Sequence, residues 1–124
     1  MKMSWLALIP FVAAMAGLGF WVGGAQSTPK ATNLAEEARG VFKAKCAGCH
    51  GPDLPKPQAH FGYVLDLPRL AADREKVIPG RPAESELWAL VEHDEMPPPD
   101  SPHGPLTTAQ KEAIRSWIAA GAPE

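Results

Sequence analysis

The apolar positions of this chain fall into one long uncharged run and several shorter amphipathic segments. The clearest segment is the last. Ala113, Ile114, Trp117 and Ile118 recur at helical spacing and make one apolar stripe. Thr107 with Gln110 three residues on forms a capping box, and Gly121 supplies a C′ stop, so a helix is predicted between them. Leu34, Ala38, Val41 and Phe42 share one face of a first helix. Asn33 as N-cap, with Glu36 three residues later, predicts its start, and it runs straight into Cys46. A further helix is predicted over Pro82–Val91. Pro stands near its start, acids in its first turn, and Leu87, Trp88, Leu90 and Val91 on its apolar face. A shorter one begins after Asp66, with Pro68 early and Leu70 buried. Phe61-Gly62-Tyr63-Val64-Leu65 is the one strand-like run, too short to define a sheet. Residues 52–60 hold three Pro and read as a loop. The pattern predicts a small all-α domain of about four short helices.

The long apolar run, Trp5–Val22, follows Lys2 and precedes Gly23-Gly24-Ala25-Gln26. It reads as an export signal in one of two forms. A cleaved signal peptide fits the single Lys, the apolar stretch and a small-x-small site ending at Ala25. An uncleaved anchor fits the length of the run and the aromatics Trp5, Phe20 and Trp21 at its two ends. The expected organisation is a signal peptide or N-terminal membrane anchor over residues 1–25, a linker over 26–32, and one domain over 33–124. Both forms place that domain outside the cytoplasm, in the periplasm or on the periplasmic face of the inner membrane.

Composition narrows the class. With 124 residues and an export segment, roughly a hundred residues remain to build one core. A net charge of −2 gives no basic field of the kind nucleic-acid binding requires. The 14 Pro and 11 Gly favour turns and extended loops between short helices.

Both cysteines of the chain stand in Cys46-Ala47-Gly48-Cys49-His50. C-x-x-C-H is the attachment pattern for a c-type haem. Two thiols add across two vinyl groups as thioethers, and the adjacent imidazole reaches the iron. A redox thiol pair or disulfide would also read C-x-x-C, but wants a βαβ setting. A zinc site wants four ligands, and no second cysteine pair exists. The expected cofactor is one haem c, held covalently through Cys46 and Cys49.

The walk along the chain then resembles the class I cytochrome c fold. In that family a small residue and an aromatic precede the first Cys by eight and four positions, as Ala38 and Phe42 do, although the small residue there is often Gly. Ile114 and Trp117 resemble the apolar and aromatic pair with which the family's terminal helix crosses the first. From Phe61 onward the chain also resembles the planctomycete-type cytochrome c family. Val77, Pro79, Gly80, Pro82, Ser85 and Leu87 fill its V-x-P-G-x-P-x-x-S-x-L segment, and Met96-Pro97-Pro98 its M-P-P segment. The resemblance implies a cytochrome c-like fold around one covalently bound haem.

His50 supplies one axial ligand in that reading. Met1, Met3 and Met15 lie in the targeting region, so Met96 is the one Met of the exported domain, in a loop stiffened by Pro97-Pro98-Pro99. The resemblance places the second ligand at Met96. His60, His93 and His103 remain as competitors, and a bis-His iron would have the lower potential. The resemblance also implies that a carbonyl of a Pro-containing loop after the motif accepts the second ring nitrogen of His50, with Pro52 or Pro55 as candidates. Tyr63, Arg69 and Arg81 are candidate partners for the haem propionates. Glu84, Glu86, Glu92, Asp94 and Glu95 make either a solvated helix face or an acidic rim that steers a basic redox partner.

Together these readings predict a one-electron carrier and not an enzyme, a monomer whose iron is held by His50 and Met96 and whose partners are periplasmic or membrane redox proteins. The rival readings are a haem subunit docked permanently in a larger membrane complex, and an open-iron protein with peroxidase-like or gas-binding activity.

Overall fold

A computed structural model of the chain describes residues 29–124. The expected signal or anchor over residues 1–25, with its apolar run, lies outside the described residues, as do positions 26–28. Among the described residues no helix is long and apolar enough to cross a membrane.

The described chain is all-α. Its elements are α1 (Pro29–Lys45), α2 (Ala47–His50), α3 (Leu67–Ala72), α4 (Glu86–Glu92) and α5 (Thr108–Ala119), with 3₁₀ turns at Gln58–His60 and Pro82–Glu84. No strand occurs among the described residues, and Phe61–Leu65 runs as irregular chain. α1 is already helical at Pro29, the first described residue, so positions 29–32 of the expected linker are helical. Asn33 is therefore helix interior, and the capping box expected with Glu36 does not form the terminus. At the other end Lys43 and Lys45 meet the negative pole of the helix.

α5 is bounded as its sequence predicts. The Thr107 hydroxyl accepts from the Gln110 N–H at 3.2 Å, and the Gln110 carboxamide accepts from the Thr107 N–H at 2.9 Å. At the far end the Gly121 N–H donates to Ile118 and the Ala122 N–H to Trp117, the paired bonds of a Schellman stop. Gly121 holds φ 95°, which a side chain would strain.

α1 and α5 cross in the core. Ala38, Phe42, Ile114, Trp117 and Ile118 are fully buried. Phe42 meets Trp117 edge-to-face, with centroids 5.7 Å apart and planes at 82°. The Trp117 indole N–H donates to the Pro123 carbonyl at 2.8 Å, so the ring is buried with its polar atom satisfied. Trp117→Ala is expected to cost about 3–5 kcal/mol through the cavity it leaves, read as a fall in the denaturant midpoint.

The expected helix over Pro82–Val91 is divided at Ser85. This residue is extended, φ −93° and ψ 123°, and 2 % exposed. Its hydroxyl accepts from the Ile78 N–H and donates to the Arg81 carbonyl, both at 2.9 Å. The side chain serves the 78–81 loop instead of capping the helix, so Pro82–Glu84 closes as a 3₁₀ turn and α4 starts afresh at Glu86. That loop is pinned to α5 by the Gly80 N–H on the Ile118 carbonyl at 2.7 Å. Of the expected apolar face only Val91 is fully buried. Leu87 and Trp88 lie half-buried along the edge of the core.

Candidate haem-attachment site

The motif sits where α1 ends. The Cys46 N–H still donates to the Phe42 carbonyl at 2.9 Å, which fixes Cys46 directly below the buried aromatic of the helix crossing. Cys49 and His50 then donate their N–H groups back to the Cys46 carbonyl, at 3.1 and 2.9 Å, and the motif curls into the single turn of α2. The turn brings both cysteines and the imidazole to the lining of one cavity. Both cysteines are free and partly buried. Burial, with Cys49 beside it, pushes the Cys46 thiol up to about 11.

His50 Nδ1 lies 2.9 Å from the Phe61 carbonyl. A carbonyl only accepts, so Nδ1 carries the proton and Nε2 keeps its lone pair for a metal. The acceptor is Phe61 and not the expected Pro52 or Pro55. The chain turns through residues 52–60 and returns to the motif, and Phe61 at the end of that loop meets the imidazole. The Phe61 ring leans on it as well, with centroids 4.8 Å apart.

Met96 begins the loop that faces the motif. Its N–H donates to the Leu90 carbonyl at 3.1 Å, and Pro97 behind it is buried while the Met side chain is 39 % exposed. Cys46, Cys49, His50, Met96, Pro97 and His103 line one mainly apolar cavity of about 30 Å³. Two features of this cavity were not legible in the sequence. Lys45 Nζ donates to the His103 carbonyl at 2.7 Å, across 58 positions of chain. The His103 ring rests on Gly48, where an added Cβ would stand 2.5 Å from Nε2.

The other expected site residues go elsewhere. His60 and His93 are exposed and do not line the cavity, so His103 is the one competitor histidine brought to the motif. The Tyr63 hydroxyl donates to Asp73, and the Arg69 guanidinium lies 4.0 Å over the Tyr63 ring. Arg81 pairs with Glu84 at 3.1 Å on the surface. None of these three reaches the cavity. Of the acidic cluster, Glu84 is paired in this way and Asp94 meets Lys111 at 2.8 Å, which reduces its negative field.

The donor set suits a c-type haem: two free thiols, an imidazole with Nε2 available, and a thioether, in an apolar lining.

A small all-α domain with this donor set has the features of a c-type cytochrome. Residues 46–100 match the family described as Planctomycete cytochrome C, which supports the resemblance to a cytochrome c-like family read from the sequence. The match takes in the motif, Phe61, α3, α4 and Met96, and leaves α1 and α5 outside it. No curated protein and no solved structure matches the chain. A domain of this family implies covalently bound haem c and points to electron transfer rather than catalysis.

Proposed function

We propose that the chain is a monohaem c-type cytochrome, a one-electron carrier with His50 and Met96 as axial ligands, working on the periplasmic side of the membrane. One observation carries the ligand reading: Cys46, Cys49, His50 and Met96 line one cavity, and His50 presents Nε2 because Phe61 holds Nδ1. Bound haem supplies an iron that accepts and returns one electron. The residues around it do the rest. Cys46 and Cys49 keep the cofactor from dissociating, the Phe61 carbonyl fixes the tautomer and angle of His50, and Pro97 stiffens the backbone that offers the thioether. Ligands held in place limit the rearrangement that accompanies a change of charge. The partners would be periplasmic or membrane redox proteins, met across a small transient interface.

The position of His103 favours one second reading, in which it replaces Met96 at the iron. Absorption spectra of the purified protein in both redox states, with an intact mass, separate the readings. The expected mass is polypeptide plus one haem. The expected oxidised spectrum is low-spin with the weak long-wavelength band of thioether ligation. A low-spin spectrum without that band favours His103, and a high-spin spectrum overturns the carrier reading.

A further inference from the structure

His50 is oriented by one carbonyl, and that carbonyl stands in an improbable stretch of backbone. Ala59 and His60, the two residues before Phe61, both hold positive φ, 54° and 56°. Neither is glycine, and such conformations persist only where surrounding contacts over-determine them. The contacts are found on Phe61. Its ring is buried and meets Tyr63 edge-to-face, with centroids 4.7 Å apart. The Lys76 ammonium lies 5.0 Å from the centroid of the same ring. Tyr63 and Lys76 are in turn joined through one carboxylate: the Tyr63 hydroxyl donates to Asp73 Oδ2 at 2.5 Å, and Lys76 Nζ lies 3.8 Å from that oxygen. Asp73 is itself fixed at the end of α3, its N–H on the Arg69 carbonyl and its carbonyl accepting from Lys76 and Val77.

Phe61, Tyr63, Asp73 and Lys76 thus close a ring of contacts behind the imidazole. Asp73 and Lys76 keep only 20 % and 24 % of their side-chain surface in water, so both are packed against their neighbours. We propose that Tyr63, Asp73 and Lys76 are positioning residues that hold the Phe61 carbonyl on His50 Nδ1 and thereby set the reduction potential. The proposal rests on the reading of His50 as an iron ligand. An imidazole that donates a firm Nδ1 hydrogen bond is the more basic ligand and favours the oxidised iron. Loosening the carbonyl therefore raises the potential.

The sign makes the idea testable, because direct electrostatics predicts the opposite. Removing the Lys76 charge, or the hydroxyl that offsets the Asp73 charge, would by itself favour the oxidised state and lower the potential. Asp73→Asn does not discriminate, since both effects raise it. The experiment is a redox titration of the haem-loaded full chain carrying Tyr63→Phe or Lys76→Met. It is paired with NMR exchange of the His50 ring N–H in the reduced protein. The expected result is a rise equivalent to about a tenfold shift in the reduction equilibrium, 59 mV for one electron, with faster ring N–H exchange and recovery in Lys76→Arg. Should one variant fail to accumulate, the other carries the same test. An unchanged or lowered potential in low-spin, haem-loaded variants overturns the brace and leaves the carrier reading intact. A wild-type protein without covalent haem or His50 ligation overturns both.

Discussion

Replacing Cys46 and Cys49 together with Ala is expected to give protein from which all haem is extracted under denaturing conditions, with an intact mass equal to the polypeptide alone. Either single variant retains one thioether, and its mass stays one haem heavier. The separation follows from the geometry. Cys46 caps the one-turn helix that carries Cys49 and is fixed to α1 through the Phe42 carbonyl, and each thiol can form its own thioether. The raised Cys46 thiol rests in the less reactive of the two states it can take. Pushed up to about 11, it is almost wholly protonated at neutral pH, and a protonated thiol is a poor attacker in disulfide formation. Stability should follow the tether. Ligand held at high effective concentration stabilises the native state by about 3–4 kcal/mol, and losing that from a domain of this size lowers the melting midpoint by roughly 15 °C. Melting curves of the double variant, with and without added haem, check the link. A double variant that keeps its haem through denaturation would sink the attachment reading.

What the sequence disclosed of this molecule was local or periodic. Thr107 and Gln110 cap α5 because their bonds span three residues and need no tertiary help. The crossing of Phe42 and Trp117 was readable because helical spacing puts each on its apolar stripe. The C-x-x-C-H motif names its own chemistry, since the ligands are adjacent in the chain. Two local signals were overridden. Asn33 and Glu36 had the pattern of a helix start, but residues 29–32 ahead of them are already helical. Ser85 looked like helix interior, yet its buried hydroxyl found the backbone of Ile78 and Arg81 and broke the element in two.

The site was less legible because it depends on returns of the chain. That a carbonyl would hold His50 follows from the family resemblance, but that it belongs to Phe61 depends on how residues 52–60 fold back. No spacing rule relates Lys45 to His103, and only the closed loop shows their bond. The same closure explains why Tyr63 and Arg69 are not beside the cavity. Their side chains are committed to Asp73 and to each other, and neither lines the cavity. Chemistry-bearing residues were thus recognised by type, and their partners only in three dimensions.

Met96→Ala is expected to lower the reduction potential by an amount equivalent to about a hundredfold in the equilibrium, roughly 120 mV for one electron, and to abolish the long-wavelength thioether band. Thioether sulfur favours the reduced iron, so its removal stabilises the oxidised state. Little of this should come from unfolding. The Met96 side chain is 39 % exposed and lies outside the buried core, while the buried Pro97 and the bond from its own N–H to Leu90 stay in place. A substitution at such a position shifts stability by about 0.5 kcal/mol or less. The spin state of the variant then reports on its neighbour. His103 lines the same cavity and rests on Gly48, so it is the nearest candidate to take the position Met96 leaves. If it does, Met96→Ala stays low-spin at its lowered potential, and Met96→Ala with His103→Ala becomes high-spin. If it does not, the single variant is already high-spin and the second substitution adds nothing. An unaltered spectrum and potential in Met96→Ala would remove the thioether from the iron altogether and leave His103 as the ligand to test.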